Sequence, residues 1–166
     1  MPLKQSRSTA FGTTIFAVLL LTLLAGSTGL LSETRATGIG NGGAERQAQY
    51  LRALNDLRGT PYSELQCSSY ICAANKHSSC TAKQFWEGCG GAMELVQEVA
   101  DFSKLDTSRM DAGDVVAFAG VHVAVYVGNG HWMDATPERG VAEMSLPLNR
   151  FDPWYSGTVR VLRWKN

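Results

Sequence analysis

The sequence predicts an α+β domain in which N-terminal helices pack on an antiparallel sheet of about five strands. Three observations predict it. Apolar residues recur at helical spacing early in the body, at Ala44, Ala48, Leu51, Leu54 and Leu57. From Asp114 onward the texture changes to short, alternating, Val-rich runs divided by Gly turns. Helices that precede strands, without alternating with them, favour an antiparallel sheet over a doubly wound parallel one. The 166 residues leave room for one domain of ordinary size plus an appendage.

Composition removes several classes. At 45% hydrophobic and 18% charged the chain is neither disordered nor fibrous. It carries 15 basic and 15 acidic residues, so it offers no electrostatic case for nucleic acid. Four Cys are too few for a disulfide scaffold. No internal repeat, phosphate-cradling loop or cofactor motif is present, and no metal or cofactor is expected.

The N-terminus reads as an export leader. Lys4 and Arg7 precede an apolar run from Ile15 to Ala25. The run has the length of a signal-peptide core and is short for a membrane span. Ala25-Gly26-Ser27 supplies the small residues of a cleavage site, and Thr34-Arg35-Ala36 is a weaker one. The rival reading is an uncleaved anchor through residues 13–31, extended by Leu30 and Leu31. Both place the body outside the cytoplasm, in a periplasm or at a cell surface, because the positive flank stays inside. Without Lys4 and Arg7 the remainder has 13 basic against 15 acidic residues. Residues 32–43 are polar and Gly-rich and read as a linker. The folded domain is then 44–166.

The elements follow in order. Ala44 to Leu57 is an amphipathic helix, stopped by Gly59 and Pro61. A second helix runs from Cys67 to Lys76, a short third from Ala82 to Glu87, and a weak fourth from Ala92 to Ala100. Asp114 to Ala119 is a strand, turned by Gly120. Val121 to Val127 is the strongest strand in the chain. Gly128-Asn129-Gly130 is a hairpin signal. His131 to Ala135, Gly140 to Leu146 and Thr158 to Trp164 complete the sheet.

The chemistry-bearing residues are Cys and His. Cys67 opens the second helix, where unpaired N–H groups and the positive end of the helix dipole favour an anion. A nucleophilic Cys belongs there; the bland alternative is a buried or disulfide-linked Cys. His122 starts the best strand and is the candidate base; its bland alternative is a core His bonded to backbone. Alternation puts His122, Ala124 and Tyr126 on one face and the four Val on the other.

Hairpin parity then selects a third member. With a three-residue turn at 128–130, Val127 pairs with His131 and Ala124 with Asp134. His122 and Asp134 become diagonal neighbours on one face. With a two-residue turn at 129–130, His131 joins the His122 face but lies roughly 16 Å away at strand rise. Neither register lets His131 orient His122. Asp134 is the expected third member of a Cys–His–Asp triad.

These residues resemble a known family. Gly59-Thr60-Pro61-Tyr62, then Cys67-Ser68, then Ala112-Gly113-Asp114-Val115-Val116-Ala117-Phe118, then His122 to Gly128, then Trp132-Met133-Asp134-Ala135, are similar to the motifs of the NlpC-type papain-like cell-wall cysteine peptidases. The family reads Gly-x-Pro-Tyr, Asp-Cys-Ser-Gly, Pro-Gly-Asp-Leu-Val-Phe-Phe, His-Val-Gly-Ile-Tyr and Ile-His-Ala. The likeness covers about residues 48–164. It implies a papain-like fold and a hydrolase acting on an amide bond of peptidoglycan stem peptides. Cys67 would be the nucleophile, His122 the base, and Asp134 would replace the usual third residue, His. Tyr62 would line the site, with Ser68 as a further substrate-binding residue; apart from the resemblance, Trp132 shares the Asp134 face in the three-residue register and is a candidate groove-lining, substrate-binding residue. Gln66 stands where the family has Asp, and Ser69 where it has Gly. Four residues separate Tyr62 from Cys67, so the usual Gly-rich stretch is missing. The competing readings are a non-catalytic exported module with Cys67 in a disulfide, and an acyltransferase or amidase with another substrate.

Cys72, Cys80 and Cys89 form an odd set that supports at most one disulfide. If the third helix is straight, Cys80 and Cys89 lie about 13 Å apart, too far to bridge. Cys72 with either is then the remaining pairing. A zinc site from Cys72, His77, Cys80 and Cys89 lacks paired Cys-x-x-Cys spacing. His77 is more simply a cation near a helix C-terminus.

Overall fold

A computed structural model of the chain describes residues 41–76, 79–145 and 152–165. The leader at 1–31, linker residues 32–40 and His77 lie outside the described residues. The first helix, α1 (Asn41–Asp56), opens at Asn41 rather than Ala44, so residues 41–43 form its first turn. Its Tyr50 and Leu54 are buried. Gln47 Nε2 donates to the Ala112 carbonyl at 2.6 Å, which ties α1 to the turn before the sheet.

Helix α2 (Cys67–Ala74) buries Cys67, Tyr70, Ile71 and Ala74. Its start is set by Ser69, whose hydroxyl accepts the Gln66 N–H at 2.8 Å. The Ser that departs from the family pattern thus fixes the helix entry. Helix α3 (Ala82–Trp86) is capped by Thr81, which accepts the Gln84 N–H.

Residues 92–100, expected as a fourth helix, instead form strand β1 (Met93–Val99). Met93 and Gln97 are buried and Glu94, Leu95 and Glu98 exposed, and a bulge lies between Leu95 and Gln97. That bulge gives the sequence an apparent helical spacing. A partner strand, unseen in local propensity, decides the outcome. The others are β2 (Val115–Phe118), β3 (His122–Gly128), β4 (His131–Thr136), β5 (Gly140–Ser145) and β6 (Val159–Trp164). All six make one antiparallel sheet in the order β1-β6-β2-β3-β4-β5. The α+β class with helices on an antiparallel sheet is therefore the observed architecture, with six strands rather than five.

Alternation divides the sheet into two buried faces. Val115, Ala117, Val123, Val125, Met133 and Ala135 pack with the helices. Val116, Phe118, Ala124, Tyr126 and Trp132 pack under Met110, Tyr155 and the partly buried Phe102 and Leu105. Each fully buried Val contributes roughly 1.5–3 kcal/mol, so β2 and β3, apolar on both faces, anchor the fold. Val121 lies before β3 and is 59% exposed, so it does not join the other three Val on the helix face.

The β3–β4 turn differs from the expected three-residue form. Asn129 and Gly130 make a two-residue turn, with φ of 53° and 75°. Gly128 pairs with His131, and a bulge between Tyr126 and Gly128 absorbs Val127. Tyr126 then pairs with Trp132 and Val125 with Met133. Continuing that register sets Ala124 opposite Asp134, the pairing expected from the sequence, reached through a bulge instead of a longer turn.

A disulfide joins Cys80 to Cys89, with Cα atoms 5.8 Å apart. The straight-helix argument against it fails because α3 is five residues long. Gly88 and Cys89 then reverse the chain at φ of 87° and 52°. Cys72 is a free thiol, accepting the Cys80 N–H at 3.1 Å. With Cys80 and Cys89 bridged, the zinc set is not available.

Candidate active site

Four segments place the site. α2 presents Cys67 from its first residue. β3 starts with His122, β4 carries Asp134 near its end, and a 3-10 turn at Pro153–Tyr155 closes over them.

His122 is 1% exposed and Asp134 0%. His122 Nε2 lies 2.9 Å from Asp134 Oδ2. A carboxylate only accepts, so Nε2 carries the hydrogen and Nδ1 is left as the free ring nitrogen. Cys67 is the other group that acts on the His122 titration, from the start of α2. Burial works against a charged imidazole here. Asp134 and Cys67 together outweigh it and raise the His122 pKa from 6.5 to about 9. Phe118, Trp154 and Tyr155 surround the ring, with centroids 5.9, 5.5 and 5.4 Å away.

Asp134 has two partners that sequence reasoning missed. Tyr155 Oη donates to Asp134 Oδ2 at 2.5 Å. Arg139 Nη2 lies 2.7 Å from Tyr155 Oη and 3.3 Å from Asp134 Oδ1. Arg139 belongs to the β4–β5 turn and Tyr155 to a turn distant in sequence, and neither carries a local motif. Burial, then the neighbouring Asp134 charge, push the Tyr155 phenol pKa upward.

Tyr62 is half-buried close to Cys67. Its pKa is raised by desolvation, then by Cys67 and Glu138. With Pro61, Pro137, Glu138, Arg139 and others it lines a cavity of about 520 Å³. The Tyr62 loop is sewn to β5: Gly59 N–H donates to Val141 O at 2.8 Å and Val141 N–H to Thr60 O at 2.9 Å. Gly140 makes this pairing feasible, since a Cβ there would overlap the Thr60 carbonyl oxygen. Ser68 is half-buried at the second position of α2.

Trp132, an expected neighbour, lies elsewhere, and His131 stands apart from His122 as either register requires. Trp132 is 0% exposed and packs between Phe102 and Tyr126, at 5.2 and 4.8 Å, so it is core and not groove wall. His131 pairs with Glu143 at 2.7 Å, and Glu143 also binds Arg58. These three line a separate cavity of about 310 Å³ with Asn55 and Asn129. The Gly113-Asp114 motif serves the fold. Asp114 is buried and takes two hydrogen bonds from Arg163, both at 2.8 Å.

No protein-family model and no curated protein sequence matches the chain. Among solved structures it is similar to the P60 domain of an antigen from M. avium subspecies paratuberculosis. The identity is 14% and the TM-score 0.48, over 71% of this chain and 95% of that one.

Proposed function

We propose that this chain is an exported cysteine hydrolase that cuts an amide bond in peptidoglycan stem peptides. The observation that carries the reading is the buried His122–Asp134 pair, with 2.9 Å between His122 Nε2 and Asp134 Oδ2, and the buried Cys67 that acts on the same imidazole. Cys67 is free of any disulfide, which removes the ground for a non-catalytic module built on a bridged Cys67.

Cys67 Sγ attacks the amide carbonyl, and the tetrahedral oxyanion is met by the Cys67 backbone N–H at the start of α2. The carbon–nitrogen bond breaks as the His122 imidazolium gives its proton to the leaving amine. Water then attacks the thioester, His122 takes its proton, and the carboxylic product leaves with Cys67 restored. Asp134 holds the imidazole tautomer and offsets its charge. The stem-peptide substrate rests on the motif resemblance from Gly59 to Ala135, and the cavity beside Tyr62 is the proposed groove. Mass spectrometry of purified peptidoglycan digested with the protein tests this. New amine and carboxyl ends are expected with the native protein and none with Cys67→Ser. Intact stem peptides after exhaustive digestion by folded protein would sink the substrate assignment.

A further inference from the structure

Asp134 sits out of contact with solvent, where a lone carboxylate takes up a proton and ceases to serve a neighbouring imidazole. It is held by donors on both oxygens. Oδ2 accepts from His122 Nε2 at 2.9 Å and from Tyr155 Oη at 2.5 Å. Oδ1 faces Arg139 Nη2 at 3.3 Å, and the same nitrogen donates to Tyr155 Oη at 2.7 Å. We infer that Tyr155 and Arg139 are positioning residues that clamp the Asp134 carboxylate toward His122 and draw part of its charge away from the imidazole. The inference rests on the Cys67–His122–Asp134 reading.

Two features support a clamp rather than incidental packing. Donors on both oxygens fix the carboxylate plane, so Asp134 cannot swing away from His122 about its last torsion. Arg139 is held in turn by backbone geometry. Its neighbour Gly140 lies against Thr60, which pins the turn that aims the guanidinium. The Tyr155 phenol, buried beside Asp134, stays protonated and donates throughout the working range.

The charge argument gives a sign. His122 faces Cys67 from α2, Asp134 from β4 and Tyr155 from the 153–155 turn, with Arg139 behind Asp134; Phe118 and Trp154 contribute no titrating group. Tyr155 and His122 share one oxygen, so removing the phenol donor leaves more of that oxygen's charge to His122. Removing the Arg139 cation does the same. Either change moves the His122 titration upward. A side chain that merely filled space would, on removal, admit water and move it down toward 6.5.

The test uses the full chain with Cys72→Ser, so that Cys67 is the one free thiol. Tyr155→Phe keeps the ring packed on Phe118, and Arg139→Gln keeps a donor without the charge. The His122 ring titration is followed by NMR, and Cys67 alkylation by iodoacetamide is timed across the same pH range. Both variants are expected to raise the His122 midpoint by about half to one pH unit, a roughly three- to tenfold change in the imidazolium ratio. Arg139→Lys should return it to the native position. An unchanged or lowered midpoint in folded Arg139→Gln overturns the clamp, whatever becomes of Tyr155→Phe. Failure of the underlying triad looks different: alkylation of Cys67 in the native protein would then ignore His122→Gln.

Discussion

Replacing Asp134 with Asn removes one charge from a buried site and keeps its shape. In the native protein the His122 pKa stands at about 9 against 6.5 for a free side chain, despite burial that pulls it the other way. A folded-state pKa raised above the unfolded value stabilises the fold fully below pH 6.5 and ceases to do so as pH rises through 9. The difference corresponds to about 3 kcal/mol at pH 6, about 1 kcal/mol at pH 8 and almost nothing at pH 9.5. Without the carboxylate, Cys67 alone opposes burial and the His122 midpoint should fall toward 6.5. The stability loss of Asp134→Asn should then shrink by about 3 kcal/mol between pH 6 and pH 9.5, on top of a pH-independent loss of the Tyr155 and Arg139 bonds. Urea unfolding of both proteins at pH 6, 8 and 9.5, with NMR of the His122 ring, reads these quantities. Turnover should drop by about tenfold to a thousandfold, less than in the serine-protease equivalent, because a thiol depends less on its base. A stability loss that is flat with pH, or a variant midpoint still near 9, would refute the electrostatic account of the site.

Gly140→Ala should cost about 2–4 kcal/mol and weaken turnover, because the new methyl collides with Thr60 O and unpicks the Tyr62 loop; thermal melts and kinetics read both. Opening the Cys80–Cys89 bridge, which closes a separation of 9 residues, should lower stability by roughly 2–3 kcal/mol in reducing denaturant titrations. His131→Ala should leave turnover within about twofold and cost under about 1 kcal/mol, since its contact with Glu143 is partly exposed and distant from His122 in the register. A reporter fused after Asn166 should be active only in a form that works outside the cytoplasm; a cytoplasmic signal alone would refute export.

The sequence showed most clearly what depends on neighbours along the chain. The start of α2 at Cys67 follows from the Pro61 break and the Ser69 contact, both a few residues away. The shared face of His122 and Asp134 follows from strand parity, which any short-period pattern reveals. What stayed hidden depends on distant partners. β1 is a strand because β6 offers it a ladder, though its own apolar spacing suits a helix. Cys80 reaches Cys89 through two left-handed residues, one of them not Gly, which composition does not announce. Tyr155 and Arg139 reach Asp134 from turns 21 and 5 residues away, in segments without periodicity. Strand parity puts Trp132 on the face of Asp134, but parity does not say that Phe102 covers that face.

The bulge at Val127 gives the hairpin slack. Were the strands to slip into a regular ladder behind the two-residue turn, Asp134 would stand opposite Val125, on the helix face, and His122 would have no carboxylate. Excising Val127 has the opposite consequence: Gly128↔His131 would adjoin Tyr126↔Trp132 in an unbroken ladder, with Ala124 still facing Asp134. Two chain lengths therefore satisfy the same alignment of His122 with Asp134. The bulge at Val127 is accordingly a place where the hairpin can lose a residue without moving Asp134 off the face it shares with His122.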